Sequence, residues 1–205
     1  EFMKILYVIT GLGVGGAEKV VAELADQMLK RGHQVKIAYL KGEAIVCPQS
    51  SEIELVYLGF ENLKSFRCAY QNYKKILENF QPDVVHAHMV HANIFTRVSR
   101  TFIPVPKLIC TAHNSNEGGK LRMLAYKFTN HLSDLNTNVS NEASKSLIAK
   151  GAFNKNNLTT VYNGIDLKKF DRKDSICKLN SNVINFICVG RFNEQKDYPN
   201  LFRAI

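Results

Sequence analysis

The sequence predicts an α/β fold in which a Rossmann-like parallel sheet has helices on both faces. Three observations support this fold class. Strand-like and helix-like runs alternate almost from end to end, a glycine-rich turn joins the first strand to the first helix, and the composition, 45% hydrophobic and 22% charged, is typical of a globular protein. Right-handed β–α–β crossovers then require the strands to be parallel.

Each element follows from residue spacing. In the first helix, apolar residues such as Val21, Leu24 and Met28 recur at helical spacing, and Gly32 ends the helix. The run DVVHAH is typical of a short buried strand. The predicted strands span residues 4–10, 34–40, 52–58, 83–88, 107–113 and 135–139, and the predicted helices span residues 17–31, 69–80, 93–102, 120–131 and 142–150.

A change in composition near residue 170 predicts a domain boundary. We assign residues 3–170 to an N-terminal Rossmann-like domain. Residues 171–182, DRKDSICKLNSN, are polar and turn-prone, as in a linker. Residues 183–205 then begin a second α/β domain, because the strand-like run NVINFICVG is followed by the start of a helix.

The net charge of +9 at pH 7 predicts an anionic partner. Nucleic acid is not expected, because the Lys and Arg residues are dispersed and no zinc-finger or RNP pattern accompanies them. A phosphate-bearing small molecule and an acidic membrane surface are both compatible with the charge. Since no apolar stretch approaches the roughly 20 residues that span a bilayer, any membrane contact would be peripheral.

The five cysteines are odd in number, widely spaced and without a CxxC pair. They therefore indicate neither a disulfide framework nor a structural zinc site. We expect a reducing, cytoplasmic location.

Parallel α/β sheets bind ligands at the carboxyl ends of their strands. Gly11, Gly13 and Gly16 follow the first strand in a G-x-G-x-x-G pattern, and the N–H groups of the helix that begins there attract phosphate. A dinucleotide site would also need an acidic residue at the end of the second strand, which instead ends Leu40-Lys41. A nicotinamide-dependent oxidoreductase is therefore the weaker interpretation of this loop.

Histidines mark two further strand ends. His86 and His88 share one face of a strand and His91 follows, which suggests zinc, but no fourth ligand with suitable spacing is evident and no metal is expected. We place His88, nearer the strand end, in the ligand crevice. His113 ends the next strand and Asn114 follows it, so an imidazole and a short polar group stand where substrate should bind.

Two further sites lie towards the end of the sequence. Asn163 and Gly164 form a strong turn signal after a strand-like run. Arg191 and Lys196 flank the strand end and helix start of the second α/β unit, where two cations suit a diphosphate.

Taken in order, the segments GVGGAEKV, DVVHAH, TAHNS, VYNGID and VGRFNEQKDYPNL resemble those of the retaining glycosyltransferases of family 4, which have the GT-B fold. The resemblance covers almost the whole chain. It implies two Rossmann-like domains facing each other across a cleft, the first binding mainly the acceptor and the second mainly a nucleotide sugar.

The resemblance also implies roles for the candidate residues. His113 is the expected catalytic residue and would touch the donor sugar. Arg191 and Lys196 would neutralise the leaving diphosphate in place of a divalent metal, so neither a metal nor a cofactor is expected. The expected substrate-binding residues are Gly13, Gly15, Gly16, His88, Asn114 and Asn163.

The expected function is sugar transfer from a nucleoside-diphosphate sugar, with UDP the expected nucleotide, to a glycan or lipid-linked acceptor of a cell-surface polysaccharide or glycolipid. The expected location is the cytoplasm, with peripheral contact at the inner membrane face. The family's E-x7-E element has no counterpart in these residues, so we expect this segment to be inactive alone. Two alternatives stay open: a nicotinamide-dependent oxidoreductase, and a non-catalytic protein that binds carbohydrate or nucleotide.

Overall fold

Parallel strands form one sheet at the centre of the fold. The computed structural model describes residues 2–114, 119–167, 186–190, 192 and 194–205. The strands in these ranges are β1 (Lys4–Ile9), β2 (Gln34–Tyr39), β3 (Glu54–Tyr57), β4 (Val84–His88), β5 (Lys107–Ala112), β6 (Leu135–Asn138) and β7 (Thr159–Thr160). They pair in parallel in the order β3-β2-β1-β4-β5-β6-β7.

Helices connect the strands, as the alternating pattern predicts. They are α1 (Gly16–Lys30), α2 (Phe66–Phe80), α3 (Val90–Arg100), α4 (Lys120–Thr129), α5 (Asn141–Ala149) and α6 (Tyr198–Ala204). The chain divides into two compact units, Glu1–Gly164 and Ile165–Ile205, and α6 belongs to the second.

Both faces of the sheet bury apolar side chains, because neighbouring residues of a strand point to opposite faces. On one face, Tyr7 and Ile9 of β1 pack with Val21 of α1. On the other face, Leu6 and Val8 of the same strand pack with residues of α2 and α3. The predicted fold class, a Rossmann-like sheet with helices on both faces, is confirmed.

Most predicted elements agree with the structure to within three residues, and one differs in kind. We predicted a strand over 182–190, but residues 186–190 are not in a strand. The physical reason is that a strand needs a neighbour to satisfy its backbone N–H and C=O groups, and the described part of the second unit contains no strand that could pair with it. The predicted linker 171–182 lies outside the described residues.

Candidate functional site

A topological switch point lies between β1 and β4. These two strands are neighbours, but the chain leaves β1 towards β2 on one side and leaves β4 towards β5 on the other. In open parallel sheets the crevice at such a point is where ligands bind. The Thr10 hydroxyl, just after β1, accepts a hydrogen bond of 3.3 Å from the N–H of Ala92 and so links the two sides of the crevice.

The chain turns abruptly after β4. Met89 has a φ of 73° and a ψ of 158°, a backbone conformation that residues other than glycine rarely adopt. Its N–H donates to the carbonyl of Thr111 at 3.1 Å, and α3 begins at the next residue. Such strain costs about 1–3 kcal/mol and is concentrated at functional sites. This turn keeps His88 at the last position of β4, beside the crevice.

A row of polar side chains crosses the sheet beside the switch point. His86 and His88 lie on the same face of β4, with ring centroids 4.0 Å apart. His86 Nε2 lies 2.7 Å from the hydroxyl oxygen of Thr111 on β5, which in turn lies 2.7 Å from the hydroxyl oxygen of Thr137 on β6. On the face of the sheet that α1 covers, β1 therefore presents side chains that pack in the apolar core, whereas β4, β5 and β6 present polar side chains that hydrogen-bond to one another.

The row ends in a direct contact between the two histidines that the sequence placed at strand ends. His88 Nδ1 lies 2.9 Å from His113 Nε2, and the two rings are tilted by 36°. His88 is almost fully buried, at 1% exposure, whereas His113 is partly exposed. Among the described residues, His88 Nε2 has no hydrogen-bond partner. The buried ring of His88 thus holds the partly exposed ring of His113 through one of its two nitrogens.

Burial keeps this cluster uncharged at neutral pH. It lowers the pKa of His86 to about 3 and that of His113 to about 4, and it lowers the pKa of His88 well below its usual value. The neighbouring histidines add to the shift at His86 and His88. A neutral imidazole has one donor and one acceptor nitrogen, so the 2.9 Å contact fixes complementary tautomers in His88 and His113.

The glycine loop has open space where side chains would stand. A Cβ atom at Gly13 or at Gly16 would meet nothing within 4 Å, whereas one at Gly11 would lie 3.1 Å from the carbonyl oxygen of Lys41. Helix α1 has Gly15 as its N-cap and no side-chain capping hydrogen bond. The first N–H groups of α1 therefore form a suitable site for an anion beside the switch point.

Glu18, in the first turn of α1, competes with such an anion. Its carboxylate folds back over Gly15, where a Cβ atom would overlap it. A carboxylate at a helix N-terminus interacts favourably with the helix dipole. A phosphate that binds to this loop would therefore have to share the helix N-terminus with a negative charge.

The structure brings six predicted site residues to one edge of the sheet. They are Gly13, Gly15, Gly16, His88, His113 and Asn114, all at or after the carboxyl ends of β1, β4 and β5. Asn163 is exposed just after β7, and β7 lies two strands, or roughly 10 Å, from β5 in the sheet. Lys196 is exposed in the second unit, in the 3₁₀ helix Glu194–Lys196. Arg191 lies outside the described residues. The roles of these residues stay predictions.

Sequence reasoning missed Thr111 and Thr137 and did not pair His88 with His113. One signal for Thr111 was present, because it stands two residues before His113 and therefore shares its face. In the ranges that the structure describes, no three His, Cys, Asp or Glu side chains are placed to hold a metal ion. No helix in those ranges is long and apolar enough to cross a membrane.

Comparison with known proteins identifies the family. The sequence profile described as Glycosyltransferase Family 4 matches residues 14–169, about three quarters of the chain. The chain belongs to glycosyltransferase family 4. The predicted family is thereby confirmed, and the match includes the glycine loop from Val14 onwards and both strand-end histidines. A search of curated protein sequences finds no significant match.

Solved structures show that the family 4 chain has the fold of a GT-B N-terminal domain. HepE from Anabaena, in complex with UDP-glucose, superposes with a TM-score of 0.65 at 16% identity, over 84% of this chain and 47% of HepE. The lipopolysaccharide outer core galactosyltransferase WaaB gives 0.62 at 17% identity, over 80% of this chain and 46% of WaaB.

A UDP-GlcNAc 2-epimerase from Methanocaldococcus jannaschii also shares the fold, with a TM-score of 0.57 at 13% identity, over 78% of this chain and 46% of the epimerase. The family 4 chain thus spans about half the length of these proteins. Because an epimerase and transferases share it, the fold alone does not determine the reaction.

Proposed function

We propose that the protein is a retaining glycosyltransferase. It would move a sugar from a nucleoside-diphosphate sugar, with UDP as the expected nucleotide, to a glycan or lipid-linked acceptor. The family supports sugar transfer in general, and HepE, which has the same fold, binds UDP-glucose. Since this chain spans about half of HepE, the proposal concerns a whole protein in which a second domain supplies most of the donor site.

One observation carries the proposal: His113 stands at the carboxyl edge of the sheet, in a neutral state, held by His88 at 2.9 Å. A neutral imidazole suits a hydrogen bond to a sugar hydroxyl, because it orients the ring without adding a fixed charge beside the positively charged sugar of the transition state. A permanently positive side chain at this position would oppose that charge development.

The proposed reaction breaks the bond between the anomeric carbon and the donor diphosphate, and forms a bond from the same face of the sugar to an acceptor hydroxyl. The electron pair of the broken bond leaves with the diphosphate, and the acceptor proton passes to a phosphate oxygen. Arg191 and Lys196 would stabilise the negative charge that develops on the diphosphate. We propose that these cations replace a divalent metal, so that neither metal nor cofactor is needed.

The test is turnover by the full-length protein. Donor hydrolysis and transfer are measured with UDP-, GDP- and ADP-sugars in the presence of EDTA, for wild type, His113→Ala and the control His131→Ala, which alters an exposed histidine in the 3₁₀ helix Asn130–Leu132 before β6. We expect turnover to survive EDTA and His131→Ala, and to fall on the order of 100-fold or more in His113→Ala. A folded protein that turns over no donor but binds NADH or free sugars would contradict the proposal.

We also propose that the product is a cell-surface polysaccharide or glycolipid made at the cytoplasmic face of the membrane. The net charge of +9 supports an acceptor or surface that is anionic. WaaB, which acts on the lipopolysaccharide outer core, has the same fold. The acceptor class can be tested by comparing lipid-linked diphosphate acceptors with neutral soluble glycans under identical donor conditions.

A further inference from the structure

Helix α4 has apolar side chains on two opposite faces. Met123 and Tyr126 are buried and pack in the hydrophobic core with Ala112 of β5 and Leu147 of α5. Leu121, Leu124 and Phe128 are 83%, 46% and 69% exposed. Their spacing of three and then four residues places them along one side of the helix, away from the buried pair. We call this side the outward apolar face of α4.

An outward apolar face is unusual, because a surface helix normally packs its apolar stripe and exposes charged or polar residues. In α1, for example, Glu18 and Lys19 stand among the residues that are not buried, while Val21 and Ala25 are buried. In α4 both the packed side and the exposed side are apolar, so core packing does not account for the exposed three.

Basic residues flank the outward apolar face. Lys120 and Lys127, one heptad apart, lie along one edge, and Arg122 lies along the other; all three are exposed. The stretch 119–131, GKLRMLAYKFTNH, contains no Asp or Glu. An apolar strip between two cationic edges is typical of a helix that lies in the plane of a membrane interface, with apolar side chains inserted and the basic side chains at the level of the lipid headgroups.

We propose that the outward apolar face of α4 is a docking surface for an anionic lipid membrane. Charge complementarity favours this occupant over a second copy of the chain. A two-fold contact through this face would bring Lys120, Arg122 and Lys127 of both copies together, and like charges at close range are unfavourable. Anionic headgroups would instead attract the positive charge along this helix.

The position of α4 connects this surface to the candidate site. The helix begins seven residues after His113, at the same edge of the sheet. Membrane docking through α4 would hold the crevice beside the lipid surface, where a lipid-linked acceptor is found. In this respect the inference deepens the proposed function and rests on it, whereas membrane binding itself is independent of any turnover.

The test is sedimentation of the full-length protein with vesicles, without donor or acceptor. Vesicles of equal parts phosphatidylglycerol and phosphatidylcholine are compared with vesicles of phosphatidylcholine alone. We expect binding to the anionic vesicles only. Replacing Lys120, Arg122 and Lys127 together by Gln should weaken it on the order of 100-fold, since each basic residue at such a surface contributes roughly fivefold. Replacing the three apolar residues by Gln should weaken it about tenfold or more.

A matched control is Leu63→Gln, which removes an apolar side chain that is 86% exposed in the 3₁₀ helix Leu63–Ser65. It should bind like wild type, and thermal unfolding should show that every variant is folded. Wild-type binding by both α4 variants, or no binding to anionic vesicles, would overturn the proposal. The proposal would also be overturned if light scattering showed that wild type is a dimer, that the variant with the three apolar residues replaced by Gln is a monomer, and that this variant still binds vesicles.

Vesicle binding and catalysis are scored separately. A variant that loses vesicle binding but retains turnover of a soluble acceptor supports the docking surface. A protein that binds vesicles through α4 but turns over no donor retains the docking surface and contradicts the glycosyltransferase proposal.

Discussion

His88 Nδ1 lies 2.9 Å from His113 Nε2, across the carboxyl ends of two neighbouring strands. His88 is paired in register with Thr111, so it reaches forward along the sheet to a residue two positions further on, just after the end of β5. The contact joins a buried ring to a partly exposed ring. It therefore fixes the orientation of His113 and, through the shared proton, determines whether His113 Nδ1 is a donor or an acceptor.

Removing the His88 contact should impair catalysis more than donor binding. We expect His88→Leu to lower kcat of the full-length protein roughly tenfold, the value of one hydrogen bond, while KM for the donor changes little. His88→Asn places an amide where Nδ1 stands and should recover most of the loss. Steady-state kinetics of the three proteins provide the measurement, and equal losses in both variants would contradict the positioning role.

The buried histidines should make stability depend on pH. The pKa of His86, at about 3, and that of His113, at about 4, lie below the unfolded value of about 6.5. The sign follows from proton uptake. Above the unfolded pKa both states are neutral and the full stability is present. As the pH falls from about 6.5 towards the folded pKa values, only the unfolded chain takes up protons, so stability is lost.

Urea unfolding at pH 7 and pH 5 measures this loss. We expect His86 and His113 each to account for roughly 1–2 kcal/mol between these pH values. In His86→Gln, which cannot titrate, the difference between the two pH values should shrink. The control His131→Gln changes an exposed histidine and should retain the wild-type difference. The same difference in both variants would show that His86 does not contribute.

Arg97 provides a test of packing in the core. It is fully buried, it donates to Asn136 Oδ1, and its guanidinium lies 5.1 Å from the ring centroid of Tyr126. Arg97→Ala should lower the free energy of unfolding by about 3 kcal/mol, because it leaves a cavity in the core. Arg97→Met fills the space and should cost about 1.5 kcal/mol or less.

The loss of stability in Arg97→Met is expected to be small because the Ser133 hydroxyl also donates to Asn136 Oδ1, at 2.7 Å. Asn136 Oδ1 therefore keeps a hydrogen-bond partner. Denaturant unfolding of both variants gives the comparison. The exposed Arg67→Ala on α2 is the control and should change stability by less than about 0.5 kcal/mol. Equal losses in Arg97→Ala and Arg97→Met would show that the charge contributes more than the packing.

The sequence was sufficient to predict the order of the elements and the edge of the sheet where the site lies. Periodicity is a local property, and it predicts a helix at 120–131 or a strand at 107–113 without knowledge of the rest of the fold. His88 and His113 were placed at the ligand edge because each ends a strand, and strand ends meet at one edge of a parallel sheet.

Their direct contact could not be predicted, because it joins residues 25 positions apart and depends on the register between β4 and β5. Likewise, the pattern of α4 contains two apolar sides, and only packing shows that Met123 faces the core while Leu121 faces outward. The fold-back of Glu18 over Gly15 is also invisible in the sequence, where an acidic residue in a first helical turn indicates only a favourable dipole interaction.

Glu18 gives a test of whether the glycine loop binds an anion directly. Its carboxylate lies over Gly15 at the N-terminus of α1, where a donor phosphate would bind. Glu18→Gln retains the shape and removes the repulsion, so we expect KM for the donor to fall about two- to fivefold at low salt and the effect to shrink as salt is added. The cost to stability should be about 0.5 kcal/mol, because a charge is lost from the helix N-terminus.

Initial-rate kinetics of the full-length protein at two salt concentrations measure this effect. The control Glu52→Gln removes an exposed carboxylate just before β3 and should leave KM unchanged. A rise in KM for the donor in Glu18→Gln would mean that the carboxylate accepts a hydrogen bond from the substrate. In that case the loop recognises hydroxyl groups rather than phosphate, and Glu18 belongs to the binding site instead of competing with its ligand.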